Sequence, residues 1–209
     1  MQGAFITFEG ADGSGKTTQV RRLAERLAAR GTPHLVTREP GGTAAGLAMR
    51  ALLLEPRTPP LAPEAELLLY AADRAQHVRE TLEPALAEGR VVLCDRYIDA
   101  TIAYQGYGRG LDLGLIAELN RIATAGLAPD LTLVFDVDVE EAARRMASRA
   151  GVETPTRFDL EAREFHARVR DGYLRIARDE PGRVRVVDAS GPVDEIADRV
   201  WSAVEGRIS

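Results

Sequence analysis

Cysteine is almost absent: Cys94 is the only one in 209 residues, which excludes an internal disulfide framework and a cysteine-built zinc centre. The three histidines, at positions 34, 77 and 166, are too scattered to supply metal-ligand spacing instead. No stretch approaches the roughly 18 uncharged apolar residues that a membrane-crossing helix requires. The N-terminus runs from Met1 into an apolar strand without the basic region and cleavage site of an export signal, so a soluble, cytoplasmic chain is expected. A positive surplus is missing too. With a formal net charge of -5, general attraction to nucleic acid is not expected, and any phosphate chemistry must come from local charge.

What is present suits one globular unit. Hydrophobic residues make up 45% of the chain, enough for a substantial core, and a single domain spanning 1–209 is expected. AFITFEG reads as a strand ending in a glycine-rich turn, and Val20, Leu23, Ala24 and Leu27 follow at helical spacing up to Gly31. PHLVTREPGG supplies a second strand and TAAGLAMRALLLE a helix, so the opening unit is βαβ and the sheet parallel. PRTPPLAP is a proline-rich loop, EAELLLYAADRAQHVRE a helix, and a further helix starts near Glu83-Pro84.

VVLCD and LTLVFDV are unbroken apolar runs, the pattern of strands buried on both faces, and Cys94 is expected to be buried in the first of them. IDATIAYQGYGRG between them is rich in glycine and tyrosine and carries no periodic signal. Asp138 and Glu141 are spaced as a capping box for the next helix. A long helix from about Asp159, the strand RVRVVDA and a helix from Val193 to Glu205 complete the alternation. Five buried strands alternating with helices predict a doubly wound α/β fold, with the strand ends converging on one crevice.

FEGADGSGKTTQ carries the chemistry. Gly10, Gly15, Lys16 and Thr17 match G-x-x-x-x-G-K-[ST] between a strand and a helix. The backbone N–H groups of Gly10, Ala11, Asp12, Gly13, Ser14, Gly15, Lys16, Thr17 and Thr18 would then wrap an ATP phosphate at a helix N-terminus. Lys16 adds a mobile cation, and Thr17 a hydroxyl for Mg²⁺. A second acid is needed beside that metal, and Asp95 is favoured over Asp136 and Asp138 because Arg96 follows it. Arg38, at the end of the second strand, faces the same crevice. Two arginines there imply an acceptor that itself carries a phosphate.

Arginine is also concentrated at 144, 145, 149, 157, 163, 168 and 170. The plain reading of such a run is a solvated helix face. Phosphoryl transfer supplies another: an arginine on a closing lid, about residues 145–158, that stabilises developing charge and excludes water. Arg149 and Arg157, which flank AGVETPT, are the candidates.

FEGADGSGKTT, TREPGGT, LLYAADRAQH, DRY with AYQG, and the arginine segment stand in this order from Phe8 to about Tyr173, and together they resemble thymidylate kinases. The resemblance implies a P-loop NTPase fold and transfer of the ATP γ-phosphoryl group to dTMP with Mg²⁺, in a homodimer packed through helices. It also implies ATP and Mg²⁺ on Lys16 and Thr17, a metal-organising carboxylate at Asp95, and the dTMP phosphate on Arg38 and Arg96. Asp12 would meet the sugar 3′-hydroxyl. Tyr70 would stack on the base where the family usually has phenylalanine, its hydroxyl needing a partner or water. Arg74 would reach the base, Tyr104 and Gln105 would lie beside the sugar and base, and Thr101 would join the nucleotide-binding set. Gly13 stands where some members carry an arginine, so the chain resembles the type whose catalytic arginine is in the lid. Another nucleotide kinase of the same fold, or a P-loop switch ATPase, is the competing reading.

Overall fold

The computed structural model describes residues 3–56, 59–148, 156–158 and 161–208. Five parallel strands form one sheet in the order β2-β3-β1-β4-β5: β1 is Phe5–Glu9, β2 His34–Arg38, β3 Val91–Asp95, β4 Leu131–Asp136 and β5 Val184–Asp188. The three inner strands are buried along nearly their whole length. The expectation that all five are buried fails at the edges: Val36 of β2 is 47% exposed and Val186 of β5 is 49% exposed. Each edge strand has a neighbour on one side only.

Strand residues alternate between two cores, as a period of two requires. Ile6, Phe8, Leu93, Leu133 and Phe135 face helix α1 (Lys16–Ala29) and helix α9 (Val193–Val204) through Val20, Leu23, Leu27, Ile196, Val200 and Trp201. Phe5, Val92 and Cys94 face the other way, onto Val78, Leu82 and Tyr97. Val134 and Val184 join Tyr104, Phe165, Val169, Tyr173 and Ile176 on that second side. Full burial of a side chain such as Leu27 is worth about 1.5–3 kcal/mol, so α1 is held firmly and its N-terminal turn is fixed at the sheet edge.

Helix α2 covers Ala44–Leu54, α3 Pro63–His77 and α4 Glu83–Ala87, the last two joined by a wide helical turn at Val78–Leu82. The segment without periodic signal is also helical: α5 (Ile98–Thr101) continues as a wide turn over Ile102–Gly108. Its glycine is required by close packing. A Cβ on Gly108 would lie 2.7 Å from the Phe165 ring, and one on Gly172 would lie 2.6 Å from Tyr107. Tertiary contact with helix α8 (Arg163–Asp179) thus overrides the weak local propensity. Helix α8 begins at Arg163; the Asp159 start lies outside the described residues.

Helix α6 is Leu113–Thr124 and α7 is Val139–Ala147. The capping box is half formed. Asp138 accepts from the Glu140 N–H, while Glu141 pairs with Arg145 and Arg144 at 2.8 Å each instead of turning back to the cap. Among the described residues no helix is long and apolar enough to cross a membrane.

Candidate active site

The crevice opens at the carboxyl ends of β3, β1 and β4, where the strand order reverses direction around β1. Gly15 caps α1 in the left-handed region at φ 91°, and no side chain caps that helix. The Lys16 and Thr17 N–H groups therefore stay available to an anion, while Thr18 N–H donates to the Gly15 carbonyl at 3.1 Å. Lys16 Nζ donates to the carbonyls of Gly10 at 2.9 Å and Ala11 at 3.0 Å. Burial and the Arg96 cation lower its ammonium to about 8, against the pull of Asp95, Asp12 and Glu9.

Gly13 stands at φ +80°, and a Cβ there would lie 2.4 Å from the Ala142 carbonyl of α7. The loop has no room for a side chain at that position. Gly13→Ala is expected to destabilise the fold by about 2–4 kcal/mol, combining left-handed strain with overpacking. Chemical denaturation measures this, and a loss under about 0.5 kcal/mol would contradict the packing.

Thr17 Oγ1 donates to Asp95 at 2.9 Å, as its place at the end of the neighbouring strand requires. Asp136 ends β4 on the other flank but is engaged by Arg170 at 2.6 and 3.0 Å. A hydroxyl and one carboxylate, both hard oxygen donors beside a phosphate cradle, fit Mg²⁺, which usually keeps waters and takes further oxygens from a nucleotide.

Arg96 is the second centre. Its Nη2 donates to Asp12 at 2.7 Å and to the Tyr104 hydroxyl at 3.0 Å, and Nη1 donates to the Tyr173 hydroxyl at 3.2 Å. Tyr104 in turn donates to Asp12 at 3.0 Å. Burial would raise the Asp12 carboxyl, but Arg96, Lys16 and Tyr104 outweigh it and bring it down to about 2.

Arg96 has φ 73°, a left-handed conformation that costs a non-glycine residue about 1–2 kcal/mol. Glu9, fully buried, holds it from below: one carboxylate oxygen accepts the Tyr97 N–H at 2.7 Å, the other the Tyr173 hydroxyl at 2.8 Å. Sequence reasoning missed Glu9, although an acid closing an otherwise apolar strand is a legible signal.

A pocket of about 590 Å³ of empty space, including its open mouth, runs from Asp12 and Arg96 past Tyr104 to Tyr70, Thr101 and Gln105. Arg74 borders it but is no solvated helix charge. Only 1% exposed, it donates to Glu39 at 2.8 Å, Thr101 at 3.1 Å, Asn120 at 2.7 Å and the Tyr97 carbonyl at 2.9 Å. Among the described contacts this leaves one of its five N–H donors, on Nη2, for a ligand.

Glu39 is taken by Arg74 and by His77 at 2.9 Å, so the simple surface pair of Arg38 with Glu39 does not form. Arg38 itself ends β2 opposite Asp95 and is exposed. Arg50 of α2, which sequence reasoning missed, lines the pocket and donates to the Pro40 carbonyl at 2.8 Å. Burial and then the neighbouring charges of Arg38 and Arg96 lower its pKa, so the three arginines share one positive field. Burial and Glu66 push the Tyr70 phenol up, so it stays neutral.

The lid arginines separate. Arg149 lies outside the described residues, as do residues 150–155 of the loop beside it. Arg157 is not brought to the phosphate loop. Its Nη2 meets Glu66 at 2.5 Å, its Nε donates to the Leu53 carbonyl, and its guanidinium carbon lies 4.5 Å from the centre of the Phe158 ring. The buried acid Glu66 of α3 attracts it there. Arg145 lies closer to the loop: Nη2 donates to the Ala189 carbonyl at 3.1 Å, and Nη1 is 4.0 Å from where a Cβ of Gly15 would stand. Arg144 and Arg163, about three-quarters exposed, do form the solvated face.

A family model described as "Thymidylate kinase" matches residues 8–200. A thymidylate kinase of Desulfosudis oleivorans is 53% identical over 96% of this chain and 96% of its own length. One from Pelotomaculum thermopropionicum is 55% identical over 91% of this chain and 87% of its own. The crystal structure of the Ehrlichia chaffeensis thymidylate kinase superimposes with a TM-score of 0.80 at 36% identity, covering 98% of this chain and all of that one. With a strand-loop-helix phosphate cradle and a partly buried arginine centre in one crevice, and with likeness of this extent in both sequence and fold, the chain belongs to the thymidylate kinase family of P-loop NTPase fold.

Proposed function

We propose that the protein phosphorylates dTMP to dTDP, taking the γ-phosphoryl group of ATP with Mg²⁺. The observation that carries this reading is the pair of phosphate-attracting centres in one crevice: the glycine loop with Lys16, and Arg96 with Arg38 and Arg50 across from it. A P-loop that only hydrolysed its nucleotide would not need the second centre.

The γ-phosphorus bond to the β-phosphate bridging oxygen breaks, and its electron pair leaves with ADP. A bond forms to a 5′-phosphate oxygen of dTMP, approaching in line. Little covalent chemistry is asked of the protein, so its work is positioning and charge stabilisation. The loop N–H groups and Lys16 hold the donor phosphates, with Thr18 completing the first turn. Arg96 and Arg38 hold the acceptor phosphate, and Asp12 and Tyr104 orient the sugar. Tyr70 stacks on the base, bordered by Arg74, Thr101 and Gln105. Thr17 and Asp95 would hold Mg²⁺, which supplies charge neutralisation on the β and γ oxygens when bound.

The lid arginine of the transition state is Arg149, and the Glu66 contact favours a place for Arg157 near the base rather than at the phosphates. The chain acts as a single domain with a lid over about 145–158, in the cytoplasm. It works as a homodimer through the outward faces of α2, α3 and α6, where Leu47, Leu52, Leu68, Leu115 and Ile122 are each at least 45% exposed.

Mass spectrometry of a mixture of protein, Mg-ATP and dTMP is expected to find equal amounts of dTDP and ADP. ADP without dTDP would overturn the reading. A pH dependence follows from Lys16. The free enzyme loses that cation as pH rises through about 8, so kcat/KM for ATP falls on the alkaline side. Bound triphosphate favours the charged form, so the same limb in kcat moves to higher pH. A flat kcat/KM profile from about pH 7 to 9.5 would contradict the assignment.

A further inference from the structure

Glu66 is 1% exposed, and nothing in phosphoryl transfer uses it. Three groups converge on its carboxylate: Gln105 Nε2 donates to Oε1 at 2.5 Å, and the guanidinium groups of Arg157 and Arg109 meet Oε2 at 2.5 and 3.5 Å. Arg109 is shared with Glu161 at 2.6 Å. A carboxylate facing two guanidinium cations has only acceptors to offer.

That constraint fixes Gln105. A primary amide presents donors at one end and a carbonyl acceptor at the other, and either end can serve a ligand unless a neighbour decides. Glu66 decides, because it can take only the NH₂ end. Gln105 is 1% exposed and borders the pocket, while Glu66 stands behind it. The end left for the pocket is the carbonyl oxygen Oε1.

We propose that Glu66 is a specificity-positioning residue: by holding the Gln105 amide in one orientation, it presents an acceptor to the base and selects a pyrimidine that donates a ring N–H there. Thymine and uracil carry N3–H. Cytosine carries a lone pair at N3, which would face the Oε1 lone pairs. This rests on the dTMP-kinase reading and deepens it, since it names the atom that rejects dCMP.

The test is kcat/KM for dTMP and for dCMP in the wild type, Glu66→Gln, Gln105→Leu and the double variant. Glutamine at 66 can donate or accept, so it no longer orients Gln105. The dTMP/dCMP ratio is expected to fall about tenfold or more in Glu66→Gln. In the Gln105→Leu background the same change should alter the ratio less than about twofold, because Glu66 acts through Gln105. Glu66→Asp keeps the charge opposite both arginines but is too short to reach the amide. It is expected to lose selectivity likewise, and it serves if Glu66→Gln does not fold.

A ratio unchanged in Glu66→Gln or Glu66→Asp, or an equal fall with and without Gln105, would overturn the proposal while leaving dTMP kinase activity intact. Absence of dTMP kinase activity in the wild type would overturn the functional reading itself.

Discussion

Replacing Lys16 with alanine is expected to lower kcat by about a thousandfold or more, with KM for dTMP little changed. The reason is positional. Lys16 is the one cation rooted in the loop itself, at the first residue of α1, and its side chain is buried against the Gly10 and Ala11 carbonyls. Charge that moves onto the β–γ bridging oxygen in the transition state has no substitute cation on the same turn. The backbone N–H groups remain, so ATP binding should survive in part. Steady-state assays with ATP and dTMP varied separately read this split. A loss confined to KM for ATP, with kcat within about tenfold of wild type, would assign Lys16 to ground-state binding alone.

Arg96→Ala is expected to reduce kcat/KM for dTMP by at least about a hundredfold and also to lower stability. Both effects share one cause. In the proposed function the guanidinium offers the acceptor phosphate a partly buried cation, and it also neutralises Asp12. Without it, Asp12 keeps only Lys16 as a neighbouring cation and the Tyr104 hydroxyl as a donor, and its carboxyl rises from about 2. The sign of the pH effect follows. A depressed carboxyl contributes stability that is present above the unfolded value near 3.8 and lost as pH falls toward 2. The variant should therefore lose less stability than wild type across that acid window. Arg96→Gly should fold more stably than Arg96→Ala by about 1 kcal/mol, because glycine accepts φ 73° without strain. Equal stability of the two variants would mean that the backbone relaxes once the side chain is gone.

The parts of the site that were legible in the sequence are those written in one stretch. The phosphate loop needs only its own glycines, Lys16 and Thr17, and Asp95 with Arg96 follows from the end of an unmistakable buried strand. Parallel topology then brings Asp95 against Phe8, at the mouth of the loop. Contacts between distant segments were not legible. Glu9 and Tyr173 meet across 164 positions and Gln105 and Glu66 across 39, and nothing local announces either pair.

Arg157 shows the same limit. Its position beside AGVETPT marked it as a lid candidate, and its pairing with a buried acid on α3 is a long-range contact that no local pattern announces. The helical turn over Ile102–Gly108 escaped because its glycine packs against α8, a determinant that periodicity does not carry. The edge strands looked like buried ones because apolar content alone does not reveal how many neighbours a strand has.

The central claim is that this crevice joins two phosphate-bearing substrates and recognises thymine. It is tested most directly by ADP release from Mg-ATP with dTMP, dUMP, dCMP, dGMP, AMP or no acceptor, run in parallel on the purified protein. Strong turnover is expected with dTMP, weak turnover with dUMP and background elsewhere. Preference for another monophosphate would keep the two-centre mechanism and discard the base pocket, and ADP release independent of any acceptor would contradict the account outright.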